Sequence, residues 1–499
     1  MADGSVAKGA GGLTTPAEAV IETASGKVMG VSRSGILSFK GIPYGAAERF
    51  AAPRKADPWS GVRSSLAYGP VCPQVERAGW KHDEMAFLFD WDDGFPGEDC
   101  LRLNVWTPGA AGKRPVMFFI HGGGYEAGSS QELPAYDGEN LARRGDVVVI
   151  SLNHRLGPFG YLKLDSGAAN PGMLDIVLAL EWVRDNAAAF GGDAGNVTVF
   201  GQSGGGAKIN ALTVMPTAKG LFHKMIVQSG SQLRLASPER ADEVRAAILA
   251  AAQCDEAGLK ALSAQALVAA GEGAAKLLRG MPRPNGSAWD GMVWQPFVDG
   301  VEIVAHPYHP QASALAADVP LLVGGTLHER SPSMGVPKLE SIGWESVRAK
   351  PEVVAVLREV YPDAPPVEIL ALVSSAPMGR LGPVSQARIK AAQGAAPAFL
   401  YQFAWKTPVL DGRPRAFHCS DLAFCFDNID RCLNHTGGGG EARALAAKMA
   451  DAWISFARTG DPGWAPVSAD ALPTMVFDAE CRVLDDHDAA FRAALQDGQ

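Results

Sequence analysis

"FGQSGGG", residues 200–206, sets one serine among four glycines. It follows the apolar run "VTVF" (197–200) directly and leads into "AKINALTVM" (207–215), which reads as a helix. A strand that turns into a helix within a few residues needs small neighbours two positions before and two after the turn. The backbone there is strained and packed from both sides. Gly201 and Gly205 supply those neighbours around Ser203, in a G-x-S-x-G pattern. Such a turn pushes the hydroxyl into the open at a helix N-terminus, where N–H groups and the helix dipole favour developing negative charge. Two other readings compete: a surface turn with an incidental serine, and a phosphate loop. The phosphate loop wants G-x-x-x-x-G-K-[ST], whereas Gly201 is followed by Gly206, Ala207 and Lys208, so it fails on spacing.

A second glycine stretch, "IHGGGY" (120–125), follows the apolar run "PVMFFI" (115–120). Acyl transfer places negative charge on an oxygen in its transition state, and a loop without side chains can offer bare N–H groups to it. Gly123 and Gly124 suit that role, with the Gly204 N–H as a third donor. Together the two stretches point to a serine hydrolase.

The rest of the chain gives these motifs a frame. Strands are expected at 101–106, 115–120, 146–152, 196–201, 224–229, 320–325 and 398–403, several of them continuous apolar runs suited to burial on both faces. Helices are expected at 172–190, across 232–280 and at 439–458, so strands and helices alternate as in a doubly wound α/β sheet. Residues 1–17 read as a flexible tail and 18–499 as one domain. A formal charge of −9, with no basic block, argues against nucleic-acid and anionic-membrane partners. No apolar run is long enough to span a membrane. Seven cysteines without a CxxC pair speak against a zinc ribbon and a dense disulfide scaffold, and for a cytoplasmic location.

The match to known patterns extends well beyond the serine. "FKGIPYG" (39–45), "GPVCPQ" (69–74), "GEDCLRLNVWTP" (97–108), "NHRLGPFGYL" (153–162), "LALEWVRDNAAAFGGDAGNVTVFGQSGG" (178–205) and "FARTGDP" (456–462) resemble the type-B carboxylesterases. That is the cholinesterase and para-nitrobenzyl esterase family, within the α/β-hydrolase fold. The resemblance implies a central mostly parallel sheet and helical insertions forming a gorge or lid, near 75–95, 281–318 and 331–385.

A serine hydroxyl needs a histidine to take its proton and a carboxylate to fix that histidine's tautomer. In this fold the acid and then the histidine follow the serine along the chain. "AFHCSDLAFCFDN" (416–428) resembles the family's histidine segment and makes His418 the candidate base. "LLVGGTLHERSP" resembles the family's acid segment and makes Glu329 the candidate acid, with Asp421 as the alternative. His435, His306 and His309 are expected at the surface.

Three positions depart from the family: Gln202 and Gly204 stand where Glu and Ala are common, and Arg330 replaces a glycine, with its side chain expected to point away. The resemblance also implies buried ion pairs Arg49–Glu98 and Arg155–Asp175, a supporting Ser229 beside the triad, and a Cys72–Cys100 disulfide. Trp80, Phe87, Phe89, Trp91, Trp289, Trp294 and Met334 are candidates to line a gorge.

The implied function is hydrolysis of small to medium organic esters through an acyl-enzyme, by a monomer or homodimer, with no metal or organic cofactor. Amide or carbamate hydrolysis by the same groups stays open. So does a non-catalytic interaction protein of the same fold, although all three triad positions hold competent residues here.

Overall fold

The computed structural model describes residues 17–75, 84–278, 289 and 291–496. Three antiparallel strands come first: β1 (Ala17–Thr23), β2 (Gly26–Arg33) and β3 (Ile36–Pro43). Next are a two-stranded ribbon of β4 (Gly45–Ala46) with β5 (Arg54–Lys55), and β6 (Val62–Ser64), which pairs with β2. The centre is built from β7 (Arg102–Thr107), β8 (Arg114–Ile120), β9 (Val148–Leu152), β10 (Gly192–Gln202), β11 (Lys224–Gln228), β12 (Leu321–Thr326) and β13 (Ala398–Phe403). β14 (Pro473–Phe477) and β15 (Arg482–Asp485) complete the far edge.

The order across the large sheet is β1-β2-β3-β7-β9-β8-β10-β11-β12-β13-β14-β15. From β9 through β14 every pairing is parallel, and both flanks are antiparallel apart from β6, which joins β2 in parallel. The expected α/β-hydrolase sheet is therefore present, with each expected strand in place. The antiparallel flanks go beyond the strands expected from apolar runs.

β8 shows why its sequence reads as an unbroken apolar run. Val116, Phe118 and Ile120 enter the core on one face, while Met117 and Phe119 enter the core on the other. Side chains alternate along a strand, so a strand covered on both faces must be apolar at every position. Helices Pro171–Asn186 and Gly204–Leu212 cover the first face; Gly440–Thr459, with Leu445, Met449 and Trp453, covers the second.

Some expected boundaries move. Ala17 opens β1, so the tail cannot include it, and residues 1–16 lie outside the described residues. Within 331–385 lie the helices Pro351–Val360 and Pro366–Ala376. The described part of 281–318 is irregular apart from one short turn, Ala314–Ala316. Trp80 lies outside the described residues, while Phe89, Trp289 and Trp294 are buried. No helix among the described residues is long and apolar enough to cross a membrane.

The topology fixes where chemistry can gather. After β8 the chain adds β9 on one side and then crosses to place β10 on the other. Such a reversal opens a crevice at the carboxyl ends of the strands. "HGGGY" leaves the end of β8, Ser203 the end of β10, Ser229 the end of β11, and Glu329 lies just past β12.

Candidate active site

Ser203 links β10 to the helix Gly204–Leu212 with φ 56° and ψ −123°, a conformation that costs a non-glycine residue energy. The surroundings enforce it. The Ser203 N–H donates to the Gln228 carbonyl at 2.7 Å, and the Ser203 carbonyl accepts from Ala207 N at 3.1 Å. A β-carbon at position 205 would lie 2.9 Å from the Ile120 carbonyl carbon, so the glycine there is a steric requirement. Ser203 is half-exposed between the buried Gln202 and Gly204.

The glycine loop faces this turn. Gly123 and Gly124 have φ of 78° and 65°, and among the described residues their N–H groups have no hydrogen-bond partner. The Gly204 N–H is the first of its helix, with no intrahelical acceptor. Loop and turn are in close contact: a β-carbon on Gly204 would sit 2.5 Å from the Gly124 Cα. Met292 covers the other side of Gly124, and its carbonyl is tied back to the loop through Gln295, Gln232 and the Tyr125 hydroxyl.

Glu329 and His418 come from segments 89 residues apart, joined by a backbone bridge. His328 N donates to Ala416 O at 3.0 Å, which brings the following residues of both loops side by side. One Glu329 oxygen meets His418 Nδ1 in a short hydrogen bond. The other accepts from Ser229 Oγ at 2.5 Å and from Thr326 N at 2.8 Å. Behind the bridge, His328, Lys406 and Arg415 surround the buried Glu368 carboxylate, whose pKa they hold far below the usual range against the opposing effect of burial.

Burial favours the neutral form of His418, but Cys419 and Glu329 outweigh it and raise the imidazole pKa well above the usual histidine value. Of those two the Glu329 carboxylate is the one that acts at neutral pH, because burial pushes the Cys419 thiol up and keeps it protonated. The carboxylate on Nδ1 also fixes the tautomer and leaves Nε2 as the basic nitrogen.

Gln202 packs against the same ring. Its amide nitrogen is 3.3 Å from Nε2 and 3.4 Å from Nδ1, an equidistance that places it over the ring face, in line with neither lone pair. Cys419 Sγ, 3.2 Å away, donates to the Gln202 carboxamide oxygen. Among the described residues the Ser203 hydroxyl makes no hydrogen bond, so it is free to meet an incoming group.

Known proteins resemble this chain over most of its length. The model of the carboxylesterase family matches residues 17–343. The chain belongs to the carboxylesterase family. It is 34% identical to the para-nitrobenzyl esterase of Bacillus subtilis, over 95% of this chain and 98% of that protein. It is 33% identical to the phenmedipham hydrolase of Pseudarthrobacter oxydans, over 89% and 90%. Among solved structures, an esterase from Clostridium hathewayi that can hydrolyse aliphatic aromatic polyesters superposes with a TM-score of 0.83 at 32% identity, covering 97% of this chain and all of that one. A carboxylesterase of Geobacillus stearothermophilus gives 0.79 at 34% identity, covering 96% of this chain and all of that one.

Carboxylic-ester hydrolysis is thus the activity class of this carboxylesterase. Against that frame, Arg330 is exposed as expected, with its N–H on Ser375 Oγ at 2.9 Å. Asp421 is buried away from His418: it accepts from Gln228 Nε2 and the Tyr401 hydroxyl, and burial pushes its pKa up to about 6. Arg155–Asp175 is a buried pair, while Arg49–Glu98 is not, since 37% of the Glu98 side chain is exposed.

Two further expectations fail. Cys72 and Cys100 are neighbouring free thiols, both buried, with Cys72 also accepting from Leu156 N at 3.2 Å; no disulfide joins them. His435 is buried against Phe417 rather than exposed, and burial lowers its pKa to about 4. The aromatic partner comes from the His418 segment, which no reading of the local sequence around His435 would place there. Met292 and Cys419 escaped the sequence reading for the same reason: their importance lies in what they touch.

Proposed function

We propose that Ser203, His418 and Glu329 form the catalytic triad of this carboxylesterase, and that the N–H groups of Gly123, Gly124 and Gly204 form its oxyanion hole. Ser203 Oγ attacks the ester carbonyl as His418 Nε2 takes its proton. Negative charge passing to the carbonyl oxygen is met by the three N–H groups. His418 then protonates the departing alcohol, leaving an acyl-Ser203. Water, activated by the same imidazole, attacks that acyl group and releases the acid. Glu329 holds the imidazole in one tautomer and stabilises its charged form.

The observation that carries this reading is the Glu329–His418 hydrogen bond on Nδ1, beside a strained, half-exposed serine that faces unpartnered glycine N–H groups. Gln202 and Ser229 are supporting residues, one against the imidazole and one against the carboxylate. The substrates are small to medium organic esters, and the enzyme works as a monomer or homodimer without a cofactor. A cysteine content of seven without a CxxC pair supports a cytoplasmic location.

The test is covalent. A fluorophosphonate probe is expected to label Ser203 in the wild-type protein, located by peptide mass spectrometry, and to leave Ser203→Ala unlabelled. Labelling elsewhere overturns the nucleophile assignment. Matched nitrophenyl esters and nitroanilides then rank the substrates, and faster anilide turnover would reverse the ester preference.

A further inference from the structure

Five residues beyond Ser203, on the inner face of its helix, Lys208 is completely buried. Its Nζ donates to the His121 carbonyl at 3.1 Å and lies 3.5 Å from the Gly122 carbonyl. It also sits 5.7 Å from the centre of the Tyr125 ring, within reach of a cation–π attraction. These contacts all fall on the "HGGGY" loop. A lysine placed for packing alone would be costly, because burying an ammonium forfeits more hydration than an apolar side chain of similar size would.

We propose that Lys208 is a positioning residue for the oxyanion loop, gripping the carbonyls of His121 and Gly122 so that the Gly123 N–H is aimed toward Ser203. The inference rests on the oxyanion role given to Gly123 above. Its physical basis is the planar trans peptide. The Gly122 carbonyl and the Gly123 N–H belong to one peptide unit and point in opposite directions. Anchoring the oxygen on the helix side therefore turns the hydrogen to the other side. The Gly122 carbonyl has a second anchor in His121 Nδ1, at 3.0 Å. A β-carbon on Gly122 would be 3.4 Å from the Ser203 Cβ, so this peptide borders the nucleophile.

The charged and titratable groups around Lys208 are few. Glu132 is buried and accepts from Ser129 N and the Tyr136 hydroxyl. His121 and His154 stack at 4.9 Å, and burial together with Lys208 keeps His154 neutral. Arg155, next to His154, is paired with Asp175. Burial lowers the Lys208 pKa to about 7, with Glu132 opposing it. Lys208 is thus charged on the acid side of that value and neutral on the basic side, so the grip weakens as pH rises through it.

The experiment compares wild type with Lys208→Met and Lys208→Gln on a nitrophenyl ester, with active sites counted by fluorophosphonate titration. Lys208→Met is expected to lower kcat per titrated site about 10–100-fold, with KM within about threefold. Wild type is expected to show a basic inflection in kcat/KM at about 7 that is missing from Lys208→Met. Lys208→Gln, which keeps an N–H donor without the charge, is expected to regain part of kcat but not the inflection. Unchanged kcat in Lys208→Met, or a loss of kcat that leaves the basic limb as in wild type, overturns the proposal. Should Lys208→Met not fold, Lys208→Gln decides: kcat per titrated site equal to that of wild type overturns the proposal. Failure of the triad reading is separately visible, as wild-type protein not labelled at Ser203.

Discussion

On one side of Ser203 the site is made of backbone: Gly123, Gly124 and Gly204, with the turn and the loop in contact. On the other side it is made of side chains: Glu329 reaches His418, and Ser229 and the Thr326 N–H hold Glu329. The two sides fail differently. The backbone side has no room for an extra atom, and its donors cannot be removed by exchanging a side chain. The side-chain side depends on charge and on which nitrogen carries a proton.

Removing the atom common to both sides has the largest expected effect. Ser203→Ala is expected to lower kcat by about 10⁴-fold or more, with the melting temperature unchanged or raised as the strained turn loses its polar side chain. Residual hydrolysis near the wild-type rate would mean that neither side serves Ser203.

Glu329→Gln breaks only the side-chain side. The expected loss is about 10³–10⁴-fold in kcat, because the amide no longer selects the Nδ1–H tautomer. This variant also has a pH signature. A raised His418 pKa means that, in wild type, activity is lost on acidification beginning above the usual histidine value, as the base becomes protonated. Without the carboxylate that acid limb is expected to move to lower pH. A limb that stays in place would assign the raised pKa to something other than Glu329.

Gly204→Ala presses on the backbone side. A β-carbon there must displace the Gly124 loop, with an expected cost of about 1–3 kcal/mol in denaturant-measured stability and a drop of about 10-fold in kcat. Full activity in this variant would show that contact between the turn and the loop is not needed for the donors to work.

The smallest effect is expected from Ser229→Ala. It removes one of two donors from a Glu329 oxygen and leaves the Thr326 N–H in place. A loss of about 1 kcal/mol in stability and a few-fold in kcat is expected. A loss as large as that of Glu329→Gln would mean that Ser229, rather than the backbone, sets the carboxylate's position.

The backbone side was the more legible in the sequence. "FGQSGGG" and "HGGGY" are local patterns, each at the end of its own strand. Parallel strands such as β8 were legible for a similar reason, since burial on both faces leaves an unbroken apolar run. β2 was not: "GKVMGVSR" has one face partly open to solvent, and its mixed residues carry no such run.

The side-chain side needed the family resemblance to find Glu329 and His418, whose separation along the chain is closed by the His328–Ala416 backbone bridge. Asp421 is nearer to His418 in sequence, yet Gln228 and Tyr401 claim it.

By itself the sequence determined the strand-to-helix turn at Ser203, the glycine loop at 122–124 and where the central strands fall along the chain, because each follows from residues close together in the chain. Only the tertiary structure decided that Gln228 and Tyr401 hold Asp421, that Gln202 lies over the His418 ring, and that Lys208 stands behind the glycine loop. Each of these depends on contacts between segments that only the folded sheet brings together. Local propensity says nothing about such contacts.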